Sequence, residues 1–186
     1  MTNLAEAWAK KEFEAASSHF KNTPIEIFSF NDIGLHADKY AFKIIIDEIA
    51  DDQFSVELDE CLTAFEHELY YVCACGFGGI LESILHFSLA NYGLSGRGFP
   101  KDPTASDLIG TLKSNKLIDQ RQESYIKSIF MIRNSVSHHN SGFTSVSQCQ
   151  TMMLGVEDLF TNIYQPSQVW HQAHPGLSYK EYSKSH

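Results

Sequence analysis

The run Arg133-Asn134-Ser135-Val136-Ser137-His138 puts a permanent cation, an amide and an imidazole close together. On a helix, Arg133 and His138 differ in direction by about 140° and do not stack. Asn134 and His138 are i, i+4 neighbours on one face, so the amide can orient the imidazole. Arg133 is long enough to come round the helix, or to meet a second copy across a dimer interface. The polar stretch Asn140-Ser141-Gly142 stops the helix directly afterwards, and the negative pole of a helix end favours a protonated His138. An arginine beside a charged histidine suits cleavage of RNA. The guanidinium stabilises charge on the scissile phosphate, and the imidazole moves protons to or from the ribose 2′-hydroxyl or the leaving oxygen. This chemistry requires no metal and no cofactor. The helix dipole alone also favours Arg and His in a last turn, and Asn is a common terminator, so a purely structural role for the three residues stays open.

The run from Ile132 to His138 resembles the Arg-x(4–6)-His signature of HEPN domains, in which a polar residue commonly follows the arginine. Its surroundings are similar too. A long helix carrying Glu82 in Gly79-Ile80-Leu81-Glu82-Ser83-Ile84-Leu85 precedes it, with a Leu108-Ile109-Gly110-Thr111-Leu112 helix and a closing helix beyond the motif. The resemblance covers about residues 58–164 and does not reach residues 1–51. It implies an α-helical bundle that often dimerises, bringing two motifs into one cleft. It also implies a metal-independent endoribonuclease of a toxin–antitoxin or phage-defence system, with RNA as substrate and an antitoxin or other protein as partner. Other members are inactive RNA-binding or protein-interaction modules. Carried over, Arg133, Asn134 and His138 match catalytic or RNA-binding positions, and His139 matches none.

The elements that must position these residues are helical by periodicity. Residues 3–21 read as a helix on Ala5, Trp8, Ala9, Phe13, Ala16 and Phe20, and Ile25–Phe30 as extended or looped. Residues 37–51 lean to helix, with Tyr40, Ile44, Ile45 and Ile49 on one face. From Leu58 through Leu62, Phe65, Leu69 and Val72, steps of four and three run on to about Asn91 as a single core-facing helix. Gly76, Gly78 and Gly79 within it imply a kink or close packing on a neighbour. Thr104 with Asp107 opens a short helix to about Asn115, and Ser145 with Gln148 opens the last long one. Between them, residues 119–138 form a helix with Tyr125, Ile129, Ile132 and Val136 along one face. After Pro166 no periodicity remains, and partial disorder is expected at the end. The expected fold is therefore all-α. A HEPN-like bundle of antiparallel long helices (52–165) would pair 58–91 with 104–138 and 119–138 with 145–164, between an N-terminal helical extension (1–51) and a polar tail (166–186).

Composition narrows the function classes. At 186 residues, 43% hydrophobic and 20% charged, the chain suits one globular domain with appendages. A net charge of −9 argues against non-specific coating of nucleic acid. The charge is uneven, however. Residues 1–96 carry 5 basic and 16 acidic residues, whereas 97–133 carry 7 basic (Arg97, Lys101, Lys113, Lys116, Arg121, Lys127, Arg133) and 4 acidic. A local anion site and a solvated helix face both fit that window. No uninterrupted run of 18 apolar residues exists, so no membrane span is expected, and no signal peptide is evident at the start. Cys61, Cys73, Cys75 and Cys149 read as reduced thiols of a cytoplasmic protein. There is no Gly-x-Ser-x-Gly elbow for a serine hydrolase. His171 and His174 share a helical spacing but sit in the polar tail without a ligand cluster, so no metal site is expected there. Glu82 could support the site from a neighbouring helix, and reads more readily as a partner for a base on a helix face or as a solvated residue.

Overall fold

The computed structural model of the protein describes residues 40, 42–96, 98–137 and 144–185, with the backbone alone for 135–137, and every regular element among them is a helix. In chain order these are α1 (Lys43–Ile49), α2 (Asp52–Glu66), α3 (Tyr70–Asn91), α4 (Ala105–Ser114), α5 (Gln120–Ser137), α6 (Val146–Leu159), a π-helical turn (Phe160–Tyr164), α7 (Gln165–Ala173) and α8 (Tyr179–Ser185). The expected helix over 3–21 and the stretch 25–30 lie outside the described residues, as do His138 and His139.

Local chemistry sets the helix starts. The Asp51 carboxylate accepts from the Phe54 N–H at 2.8 Å and opens α2. Reciprocal capping boxes open α4, between Thr104 and Asp107, and α6, between Ser145 and Gln148. Asp119 and Gln122 exchange equivalent bonds of 2.9 and 2.7 Å ahead of α5.

The periodicity from Leu58 to Asn91 is not one helix. It breaks at His67–Leu69, where Leu69 N–H donates to Ala64 O at 2.8 Å and Glu68 N–H donates to Phe65 O at 3.1 Å. These two bonds make a Schellman motif, with Glu68 at φ 58° in the left-handed position that glycine usually fills. A β-carbon there costs about 1 kcal/mol. The stop was missed because the usual signal, a glycine, is absent.

α3 is the central helix and packs against α2, α4, α5, α6, α7 and the π-helical turn. Cys73, Ala74, Phe77, Ile80, Leu81, Ile84, Leu85 and Leu89 are buried along it. Each large apolar side chain so buried contributes about 1.5–3 kcal/mol relative to exposure. Its glycines cause no break. A β-carbon at Gly76 would collide with the Cys61 Sγ of α2, so the residue permits close approach of the two helices. By length and average apolar character alone α3 is also long and apolar enough to cross a membrane; most of its apolar positions lie in the bundle core.

Two helix faces differ from expectation. In α1, Ile45 is buried while Ile44 is exposed. In α5 the buried residues are Ile126, Ile129 and Phe130, while Tyr125 is exposed and Ile132 half-buried. The α5 face is therefore turned from the Tyr125–Ile129–Ile132 stripe, and Arg133, seven positions after Ile126, falls in line with the buried one.

The tail also departs from expectation. Pro166 lies at the start of α7, which continues directly from α6 through the π-helical turn, and that turn keeps Phe160, Ile163 and Tyr164 all buried. Asn91 Nδ2 donates to Ser167 Oγ at 3.0 Å, tying α7 to the end of α3. Tyr179 N–H donates to Tyr92 O at 2.9 Å, and the rings of Tyr92, Trp170 and Tyr179 meet at 5.4–5.6 Å. Aromatic contacts, not a periodic apolar stripe, fold this segment back.

Candidate functional site

Arg133 extends from the inward side of α5 towards α3, and what it meets there is a glycine. The Cγ, Cδ and Nε atoms of Arg133 all lie within 3.2 Å of where a β-carbon on Gly78 would be. The missing side chain at Gly78 is the groove in which the aliphatic stem rests. One turn further along α3, Glu82 Oε1 lies 3.9 Å from Arg133 Nη2. On α5 itself, Arg133 Nη1 donates to Asn134 Oδ1 at 3.3 Å. The guanidinium thus sits between an amide of its own helix and a carboxylate of the neighbouring one.

The arrangement faces solvent. The Arg133 side chain is 35% exposed and that of Glu82 32%, and Asn134 is exposed. At this exposure an ion pair is worth at most about 1 kcal/mol, so its geometry matters more than its energy. A planar fork of donors, partly open to water, is suited to bind an oxyanion such as a phosphate. A β-carbon on Gly79 would meet nothing within 4 Å, but Gly79 lines a different cavity, with Glu57, Glu60 and Cys61 of α2.

Of the three expected site residues, Arg133 and Asn134 are brought into contact. His138 lies outside the described residues, so its expected pairing with Asn134 does too. Glu82 lies beside a helix-face base, Arg133, one of the roles its sequence allowed. Gly78 was missed as a site residue; its only signal was membership of the Gly76-Phe77-Gly78-Gly79 run, which does not say which side chain would come to rest there.

The basic window is partly neutralised by its own neighbours. Lys113 of α4 and Lys127 of α5 both meet Glu123, at 3.5 and 2.5 Å, and these ion pairs hold the Glu123 carboxyl below the usual carboxylate range. Of its seven cations, Lys113 therefore serves the α4–α5 contact and Lys127 an i, i+4 pair within α5.

Other candidate chemistries are placed elsewhere. Burial pushes the Cys61 thiol up to about 12 and raises those of Cys73 and Cys149 as well, which keeps all three protonated and poorly nucleophilic. His171 Nδ1 pairs with Asn91 O at 3.1 Å, whereas His174 stacks on Trp170 at 4.9 Å. The two imidazoles are thus engaged with different neighbours.

No protein-family model matches the chain, and comparisons with curated proteins and with solved structures find no match.

Proposed function

We propose that this protein is a metal-independent endoribonuclease of HEPN type, with a HEPN-like helical bundle, acting in the cytoplasm as a homodimer within a toxin–antitoxin or phage-defence system. The ribose 2′-hydroxyl attacks the adjacent phosphorus and the P–O5′ bond breaks, leaving a 2′,3′-cyclic phosphate and a 5′-hydroxyl. Arg133 stabilises the charge that builds on the phosphoryl oxygens. His138 transfers the protons, and Asn134 orients its imidazole. An antitoxin or other protein partner restrains the activity in the cell.

One arrangement carries this reading: a half-exposed guanidinium, braced by Asn134 and seated over a glycine, near the end of a helix whose next residue is His138. The test is cleavage of end-labelled cellular RNA in excess EDTA, beside the His138→Ala variant. EDTA-resistant cleavage with cyclic phosphate ends, abolished in the variant, is the expected result. A folded protein that leaves RNA intact overturns the reading.

A second reading, a catalytically inactive helical module that binds a protein partner or RNA, is favoured by a different observation. Leu69, Tyr71 and Val72 at the start of α3 are 54–58% exposed and adjacent in sequence, as the core of a protein interface would be. In that case His138→Ala leaves partner binding intact.

A further inference from the structure

We propose that the groove between the start of α5 and the junction of α6 with the π-helical turn binds a free amino acid with an apolar side chain, its carboxylate at Arg121 and its ammonium at Asp158. The groove lies about 18 Å along α5 from Arg133, and the proposal does not depend on the ribonuclease reading.

Packing makes the groove. A β-carbon on Gly155 would lie 2.9 Å from Cδ1 of Ile129, so α6 presses against α5 at that level. One turn further along both helices the contact gives way to a cavity of about 350 Å³. The buried Ile126 and Ile163 form its floor, and Arg121, Gln122, Tyr125 and Asp158 stand in its walls. A second hollow of about 380 Å³ shares Tyr125, Asp158 and Asn162 with it and runs on past the exposed Leu154. Part of the far wall is the π-helical turn. Its wider coil sets residues out of α-helical register, and such turns recur at functional sites.

The polar groups are arranged for a ligand that carries both charges. Arg121 and Asp158 line the same cavity without forming an ion pair, and Arg121 makes none with any other described residue. Opposite charges are thus held apart across the groove, where a zwitterion can meet both. Asp158 is half-buried, and one of its carboxylate oxygens accepts from Asn162 Nδ2 at 2.8 Å. That bond fixes the carboxylate and leaves its other oxygen for an ammonium. Gln122 Oε1 accepts from the Asp119 N–H at 2.9 Å, so the amide N–H groups of Gln122 are left to join Arg121 around a carboxylate. Burial and the nearby Asp158 raise the Tyr125 hydroxyl above its usual range, which keeps it a neutral donor. Between the charged ends, Ile126, Ile163 and the ring of Tyr125 offer an apolar surface for the ligand's side chain.

The experiment follows the side-chain amide resonances of Gln122 and Asn162 by NMR while the full-length protein is titrated with L-leucine and L-phenylalanine. Each is compared with its analogue lacking the ammonium (4-methylpentanoate, 3-phenylpropionate) and its analogue lacking the carboxylate (3-methylbutylamine, 2-phenylethylamine). The same titrations are run on Arg121→Gln and Asp158→Asn, with circular dichroism to show that each is folded; asparagine keeps an acceptor for Asn162. At least one amino acid is expected to shift both resonances at millimolar concentration, and its analogues to bind about tenfold more weakly. Arg121→Gln is expected to weaken the amino acid and the carboxylate analogue about tenfold and to spare the amine. Asp158→Asn is expected to weaken the amino acid and the amine and to spare the carboxylate analogue. No shift with either amino acid, or analogues that bind as tightly as their parent, overturns the proposal. Variants that weaken both analogues alike also overturn it, because the two charges then act only through the fold.

Discussion

The side chain of Arg133 crosses α3 at Gly78, with its Nε 2.9 Å from the point where a β-carbon on residue 78 would stand. The contact joins the end of one helix to the middle of another and decides where the guanidinium points. Gly78→Ala tests it directly. The methyl group excludes the present path of the arginine, while the helix gains about 1 kcal/mol in propensity. The variant is expected to melt within a few degrees of wild type by circular dichroism and to lose at least about tenfold in phosphate binding. Unchanged binding would mean that Arg133 works from another position.

The turn between α2 and α3 carries a strain that can be relieved. Glu68 adopts φ 58° and Lys116, after α4, φ 61°, and both close Schellman motifs without glycine. Glu68→Gly and Lys116→Gly are each expected to stabilise the fold by up to about 1 kcal/mol. Chemical denaturation measures this as a raised midpoint at unchanged slope.

Thiol reactivity follows burial. With the Cys61 thiol pushed up to about 12, roughly one molecule in ten thousand carries its thiolate at pH 8. Cys75, partly exposed on α3, is the accessible thiol of the four. In the native protein a disulfide reagent is expected to label Cys75 in minutes, and Cys61, Cys73 and Cys149 only as the chain unfolds. Fast release of more than one equivalent would contradict this.

Acid sensitivity has a definite sign. The Asp107 carboxyl is held below its ordinary value by the Thr104 hydroxyl and backbone N–H, and that of Glu123 by Lys127 and Lys113. A carboxyl whose pKa is lower in the folded state stabilises the fold fully above its unfolded pKa and loses that contribution as pH falls through the folded value. The urea midpoint is therefore expected to decline as pH drops below about 4.5. Asp107→Asn removes one of the titrating groups, so its decline over the same range should be shallower. An identical pH dependence in the variant would show that the Thr104 cap contributes nothing.

Much of the local structure was legible in the sequence. The capping boxes Thr104–Asp107 and Ser145–Gln148 and the extent of α5 depend on groups three or four residues apart, so residue type and spacing suffice. The all-α character follows from the same short periods. The break at Glu68 escaped because a non-glycine residue occupies the left-handed position. The helix at Pro166 escaped because a π-helical turn and distant aromatic rings, not its own pattern, keep it in place.

For the site, the sequence by itself determined that Arg133 and Asn134 would be neighbours near the end of a helix, because that follows from chain connectivity and helical geometry. Only the tertiary structure decided that Ile126, Ile129 and Phe130 form the buried face, and hence that Arg133 turns inward to rest over Gly78 beside Glu82. Helix phase is a choice between apolar stripes that differ little in local energy. Packing against the neighbouring helices settles it, through contacts between residues far apart in the chain that spacing within one segment does not encode.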